Sequence, residues 1–300
     1  MAAQHRRAWR RDDVPPGISG LKAVAIDVDG TLLNPAHCIS PAVGKAIRHA
    51  WRHGIRIILA SGRHPGSLCG LLAQLGIDGH VVAFSGGVVA RAESGGRIEI
   101  LFQKQLDLGY AESLAQQALG DGLSVAWSTL DGWYTPGAGE MYRQEAAILQ
   151  QKPVIVPGLK GVGIAPHKLQ IMSGNAADML RLRALRAEIL PMCSAVFSHD
   201  YMLEVMPRGT DKADGLACIG RLQDLEIGEM MAIGDAENDM EMLRRAGWGV
   251  AMGHAPEAIK AAADWVTLTN GEDGVAFALE QGWFRRYFSG KLPLHREDHP

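Results

Sequence analysis

Short apolar runs, each closed by glycine and small polar residues, recur along the first 87 positions of the chain. The largely apolar run Leu21 to Ile26 reads as a buried parallel strand, and it gives way to Asp27-Val28-Asp29-Gly30-Thr31. Ser40-Pro41 then supplies an N-cap with proline at the first helical position, and Gly54 stands where that helix should stop. Ile55 to Ala60 is a second buried strand ending in Ser61-Gly62-Arg63. A helix through Leu68, Leu71, Leu72 and Leu75 closes at Gly76, and His80 to Phe84 is a third strand ending in Ser85-Gly86-Gly87. Strands alternating with helices imply right-handed crossovers and an α/β fold with a doubly wound parallel sheet.

From Val88 the rhythm changes. Arg97 to Phe102, Ser124 to Trp127 and Gly132 to Thr135 have the pattern of antiparallel strands, with a helix between Tyr110 and Leu119. Lys168 to Met172 is a further strand, Asn175 caps a long helix, and Tyr201 to Val205 is a strand again. The βα rhythm returns after Pro207, with a helix from about Asp211, a strand Met230 to Ile233 ending in Gly234-Asp235, and a helix Met240 to Arg245. Gly249 to Met252 and Trp265 to Leu268 add two short strands. The pattern predicts a core built from residues 21–87 and 207–288, interrupted by an α+β cap domain at 88–206. Residues 1–20 and 289–300 read as flexible arms.

Composition narrows the class more than it names a function. Three hundred residues exceed what one core usually holds, in keeping with two domains. A formal charge of −3 gives no electrostatic case for nucleic acid or an anionic membrane, and no apolar run approaches the roughly 20 residues that span a bilayer. The four cysteines are scattered without a Cys-x-x-Cys pair, which speaks against zinc and disulfides and for a reducing, cytoplasmic setting. The sequence leaves the oligomeric state open.

Ligands of open α/β sheets bind beyond the carboxyl ends of the strands, and this chain places Asp27, Asp29, Ser61 and Asp235 at those ends. Residues i and i+2 of a strand share a side, so Asp27 and Asp29 should look into one space. Gathered carboxylates repel by roughly 4 kcal/mol per pair at 4 Å and an effective dielectric near 20, so they need a cation or protons. Oxygen ligands without histidine or cysteine point to Mg²⁺, which keeps sites for water and a phosphate oxygen. Lys212 adds a point charge and Ser61 a donor, so the implied ligand is a phosphate.

Asp27-Val28-Asp29-Gly30-Thr31, Ser61-Gly62-Arg63, Lys212 and Gly234-Asp235-Ala236-Glu237-Asn238-Asp239 resemble the four ordered motifs of the haloacid dehalogenase superfamily of phosphatases. The run Gly249 to Gly253, with Ala263-Asp264 and Asp273-Gly274-Val275, resembles the Cof-type branch, which carries a large cap between the second and third motifs. The resemblance implies Asp27 as nucleophile forming an aspartyl phosphate, and Asp29 as acid and then base. It implies Mg²⁺ held by Asp27, the Asp29 carbonyl, Asp235 and Asp239, the last directly or through water. It also implies phosphate contacts from Ser61, Gly62, Lys212 and Asn238, with Arg63, Gly86 and Gly87 on the substrate or cap side. The expected substrate is a small phosphorylated metabolite: a sugar phosphate, flavin mononucleotide or pyridoxal phosphate. Ser85, Ala213 and His254 depart from the usual residues of these motifs, none of them at the nucleophile.

Two other functions use the same residues: a phosphotransferase of the mutase kind, and a non-catalytic phosphate-binding or signalling protein. The alternation of aromatic and basic residues at Trp283 to Phe288 reads as a terminal helix packed on the core. His64, His167 and His254 lack metal-ligand spacing and read as ordinary surface or loop residues, while Met230, Met231, Met240 and Met242 read as core. Within the cap, Trp127 to Tyr134 is the one polar and aromatic stretch suited to meeting a substrate, though it also suits packing of the cap's own sheet.

Overall fold

The computed structural model describes residues 20–280 apart from 94 and 150. The arms and the aromatic segment at 283–288 lie outside the described residues. The chain begins β1 (Ala23–Ile26), α1 (Pro41–Arg52), β2 (Arg56–Ala60), α2 (Pro65–Leu75), β3 (Gly79–Ala83), β4 (Val88–Ala92) and β5 (Ile98–Gln103). It continues α3 (Leu108–Gly120), β6 (Ser124–Thr129), β7 (Gly132–Thr135), α4 (Glu140–Leu149), β8 (Val154–Ile155), β9 (Lys168–Met172), α5 (Ala176–Ile189), β10 (Cys193–His199) and β11 (Met202–Pro207). It ends α6 (Lys212–Gln223), β12 (Met230–Gly234), α7 (Met240–Arg245), β13 (Trp248–Ala251), α8 (Glu257–Ala262), β14 (Trp265–Val266) and α9 (Gly274–Leu279).

Eight strands form the first sheet in the order β14-β13-β12-β1-β2-β3-β4-β5. From β14 to β3 neighbours are parallel, and β4 and β5 continue the sheet antiparallel. The chain runs outward from β1 in one direction, leaves the sheet, and re-enters at β12 on the other side of β1. The order therefore reverses between β1 and β12, and the loops after these two strands face one another. Both faces are covered, as a parallel sheet requires. Val24, Ile26, Ile57 and Leu59 pack on one side with Val43 and Ile47 of α1, Leu68 and Leu72 of α2 and Leu279 of α9. Ala23, Ala25, Ile58 and Val82 pack on the other with Leu216 and Ile219 of α6 and Met242 of α7. Glycine lets α6 approach closely, because a Cβ on Gly215 would run into Val82.

Six further strands form a second sheet in the order β10-β11-β9-β6-β7-β8. β4 and β5, which fall within the expected insert, continue the first sheet, β4 bonded to β3 and β5 to β4. The alternating pattern of β4 and β5 is the same whichever sheet accepts it, so the boundary could not be read from periodicity. Val125, Trp127, Leu169, Ile171, Leu203 and Val205 point to one face of the second sheet and are covered by α3 and α5. Residues in the alternate positions, Ser128, Lys168, Gln170 and Glu204, occupy the opposite face. That polar face is nonetheless buried, each of the four being at most 3% exposed. Among the described residues no helix is long and apolar enough to cross a membrane.

Candidate active site

The strand β1 ends at Ile26, so Asp27 and Asp29 lie on the loop beyond it rather than on strand positions of one face. A tight turn, closed by Leu32 N–H to the Asp27 carbonyl at 3.1 Å and Leu33 N–H to the Val28 carbonyl at 2.9 Å, brings them together. Gly30 makes the turn possible: its φ is +84°, and a Cβ there would collide with the Asp235 carboxylate. Thr31, buried below, donates to Asp235 Oδ1 at 2.8 Å and ties the β1 loop to the β12 loop across 204 positions.

Lys212, at the start of α6, is fully buried and donates to Asp27 Oδ1 and Asp239 Oδ1, both at 2.6 Å. The other oxygen of Asp239 accepts from the backbone N–H groups of Asp235 at 2.9 Å and Ala236 at 3.0 Å, which shapes the β12 loop around it. A Cβ on Gly234 would meet this carboxyl group, so glycine is needed for the close approach. Asp27, Asp235 and Asp239 each bring one oxygen within 4.8 Å of the others. Burial, with Asp239 and Asp235 adding to it, holds the Asp27 carboxyl well above the usual range in spite of Lys212. Burial raises Asp239 as well, although Lys212 opposes the shift. For Lys212 burial favours the neutral amine, but Asp239 and Asp27 overcome it and raise the pKa.

These groups suit a divalent ion. Three carboxylates against one ammonium leave two negative charges in a nearly dry space, which a dication neutralises. All the donors are hard oxygens, as Mg²⁺ prefers. Both oxygens of Asp239 are already engaged, so this residue fits a supporting role better than a direct one.

Asp29 lines the same cleft as Asp27, with its carboxylate held by Arg63: Nε donates to Oδ2 at 2.8 Å and Nη2 to Oδ1 at 2.6 Å. This fork-to-fork pair fixes the plane of the carboxylate, and Arg63 is itself buried. Ser61 also lines the cleft, its Oγ accepting from Arg63 N–H at 3.3 Å. Asn238 reaches the cleft with its Oδ1 buried and unpartnered among the described residues. Gly62 lines it too, but its tight surroundings come from the second sheet, since a Cβ there would strike Glu204. Gly86, at φ +107°, packs against the backbone of Asp211, the N-cap of the helix that carries Lys212, and Gly87 packs near the His167 carbonyl.

The second sheet supplies the facing wall. Lys168 donates to the Gly62 carbonyl at 2.7 Å and to Glu204 Oε1 at 2.8 Å, and Ser85 donates to the other oxygen of Glu204. Burial alone would raise the Glu204 pKa; Lys168, then Ser85 and Lys212, bring it below the usual range instead. Gln170 donates to Glu145 Oε1 at 2.9 Å, and burial pushes the Glu145 carboxyl up against the pull of Lys168 and this bond. The two walls face one another across a cleft lined by residues of both sheets. Sequence reasoning missed Lys168, Glu204, Gln170 and Glu145. A signal existed in β9, where Lys168 and Gln170 alternate with Leu169 and Ile171. Of the aromatic stretch singled out in the sequence, Trp133 lines the cleft, while Trp127 is buried in the far face under α3 and α5.

The histidines are less ordinary than expected. His64 caps α2, Nδ1 accepting from Gly66 N–H at 3.0 Å, so Nε2 carries the proton and donates to the Leu130 carbonyl at 3.0 Å. His167 is buried, stacked on Phe84 at 5.4 Å between ring centroids, and burial pulls its pKa down to about 4. His254 Nε2 lies 3.6 Å from Asp235 Oδ2, beyond hydrogen-bond distance.

The family described as haloacid dehalogenase-like hydrolase matches residues 24–279. A phosphoglycolate phosphatase of Methanoculleus marisnigri is 30% identical over 267 residues, covering 87% of this chain and 96% of the relative. A 5-amino-6-(5-phospho-D-ribitylamino)uracil phosphatase of Bacillus subtilis is 27% identical over 285 residues, covering 87% of this chain and 98% of that one. Neither is named as a phosphotransferase or a phosphate switch. Among solved structures, a haloacid dehalogenase-like hydrolase from B. subtilis superposes with a TM-score of 0.79 at 28% identity, covering 87% of this chain and 99% of its own. With the family match spanning both sheets, the strand-end loops of Asp27 and Asp235 and the helix start at Lys212, the chain belongs to the haloacid dehalogenase-like hydrolases.

Proposed function

We propose that the protein is a magnesium-dependent phosphomonoester hydrolase, acting on a small phosphorylated metabolite through an aspartyl phosphate on Asp27. The observation that carries this reading is Lys212 bridging Asp27 and Asp239 at 2.6 Å each, with Asp235 beside them. Asp27 lies on the loop after the central strand, buried yet lining the cleft, where its carboxylate can meet a phosphorus centre. Lys212 pairs with that carboxylate, opposing the effect of burial, and contributes charge to the phosphoryl group. Ser61, Gly62 and Asn238 line the place where the phosphoryl oxygens would sit.

Asp29 acts as the acid that protonates the departing alcohol and the base that then activates water. Arg63 holds it in place until a substrate oxygen competes for it. Bound Mg²⁺, held by Asp27, the Asp29 carbonyl and Asp235 with support from Asp239, would offset the charge of phosphate meeting carboxylate. The segment from about residue 104 to 207 is proposed to act as a cap that encloses the leaving group while it is protonated. The relatives take chemically different esters, which fits a constant core and a variable wall.

Phosphate release from a panel of phosphate esters, with Mg²⁺ and with EDTA, tests the reading. Turnover of at least one ester that is abolished by EDTA and restored by Mg²⁺ is expected. Turnover indifferent to EDTA would contradict the metal assignment.

A further inference from the structure

Lys168 and Glu204 form an ion pair at 2.8 Å, and each residue is only 3% exposed. A pair buried this deeply adds little to stability, because desolvation of the two charges offsets their attraction. A Cβ on Gly62 would strike the Glu204 carboxylate, so glycine at 62 is what lets the pair approach the loop after β2. The bonds made there give the pair a second use.

That loop is Ser61-Gly62-Arg63, and each of its carbonyls is held. The Ser61 carbonyl accepts from Ser85 N–H at 3.0 Å and the Arg63 carbonyl from Phe84 N–H at 3.1 Å, both on the loop after β3. The middle carbonyl, that of Gly62, is held from the second sheet instead, by Lys168 Nζ at 2.7 Å. Glu204 in turn fixes Lys168, and its other oxygen accepts from the Ser85 hydroxyl, so both carboxylate oxygens are engaged. A peptide unit is planar, with its C=O and N–H pointing opposite ways, so holding the Gly62 carbonyl also directs the N–H of Arg63. That N–H donates to Ser61 Oγ at 3.3 Å. With a lone pair of Oγ occupied in this way, the proton of the hydroxyl points elsewhere, and it has no acceptor among the described residues. Ser61 lines the cleft together with Asp27.

We infer that Lys168, fixed by Glu204, is a positioning residue for the phosphate site: it holds the Gly62–Arg63 peptide in the plane that leaves the Ser61 hydroxyl proton for a phosphoryl oxygen. The inference rests on the reading of Ser61 as a phosphate contact given above. It gives the second sheet a part in binding the group common to every substrate, without touching the phosphate and without regard to the leaving group.

Inorganic phosphate is the probe, since it carries no leaving group. Its Kd with Mg²⁺ present is measured by phosphorus NMR titration for the wild type, Ser61→Ala, the paired change Lys168→Met with Glu204→Leu, and all three changes together. Ser61→Ala should weaken phosphate binding by about 10-fold, as loss of one hydrogen bond to a charged group predicts. The paired change should weaken it by about 3- to 10-fold when Ser61 is present and by less than about 2-fold when it is already alanine, because a residue that acts through Ser61 then has nothing to act on. Equal weakening in both backgrounds would mean direct contact with phosphate or a general loosening of the site, and no weakening in either would mean that the pair does not serve the loop; each result overturns the inference. Glu204→Gln, which keeps the shape of the pair, should show the same dependence on Ser61 in weaker form and decides the matter if the apolar pair does not fold. If Ser61→Ala alone leaves the affinity unchanged, the inference falls with the role of Ser61, while EDTA-sensitive hydrolysis of p-nitrophenyl phosphate by the wild type judges the phosphatase reading separately.

Discussion

At the strand ends of the first sheet, two carboxylates share one buried lysine with a third beside them; on the facing wall, Glu204 is the one carboxylate bonded by Lys168, and Glu145 accepts from an amide. The first arrangement keeps an excess of negative charge where a cation and a phosphate must enter. The second is nearly neutral and fully hydrogen-bonded except at a few donors and acceptors. Charge imbalance marks the chemistry, and charge balance marks the support. One region is built to bind ions that are the same for every substrate, and the other holds part of that region in place.

The largest effect should come from Asp27→Asn. An amide is a poor nucleophile and a weaker ligand, so kcat should fall by about 10⁴-fold or more, measured on the substrate found in the panel. The same change removes one of several crowded negative charges, so the melting temperature should not drop. A large loss of stability would show that Asp27 is structural.

Lys212→Met and Lys168→Met compare the two walls directly. Each strands buried carboxylate, and each should cost about 3–5 kcal/mol in denaturant unfolding, since breaking a buried pair leaves an uncompensated charge. The outcomes should then diverge. Adding Glu204→Leu to Lys168→Met should recover most of the loss, because replacing a whole buried pair by apolar groups is nearly neutral. No single partner change can do this for Lys212, which serves both Asp27 and Asp239. Equal rescue on both sides would erase the distinction drawn between the walls.

A smaller effect concerns the junction of the two sheets, where His167 stacks on Phe84 and lies 3.0 Å from Gln103. Its pKa of about 4 in the fold, against 6.5 as the ordinary value, means that the unfolded chain binds more protons between these limits. Stability should therefore fall as the pH drops from 7 to 5, by about 2 kcal/mol from this residue alone. His167→Phe should flatten that part of the profile. An unchanged slope would mean that the ring is not buried neutral.

How far the sequence revealed this follows from the same contrast. Asp27, Ser61 and Asp235 sit where strands end, so local pattern placed them before any tertiary contact was known, while Lys212, opening α6, was legible through the ordered motifs. Lys168, Glu204 and Gln170 sit inside strands, and polar residues on alternate positions ordinarily face water. Here that face is turned toward the other sheet, which only tertiary structure could show. Glu145 sits in α4, whose pattern gave no sign of its contact with Gln170 on β9. β4 and β5 were assigned to the insert because their alternation says nothing about which sheet they join. The pairing of Arg63 with Asp29 was equally hidden, since 34 positions separate residues that meet only after β1 and β2 align.

The central claim is that Asp27 carries the phosphoryl group, and trapping tests it most directly. Rapid acid quenching during turnover, followed by hydride reduction and peptide mass spectrometry, converts an aspartyl phosphate to homoserine at its own position. Homoserine at position 27, dependent on substrate and absent from Asp27→Asn, is the predicted result. Homoserine at another position during steady turnover would contradict the account.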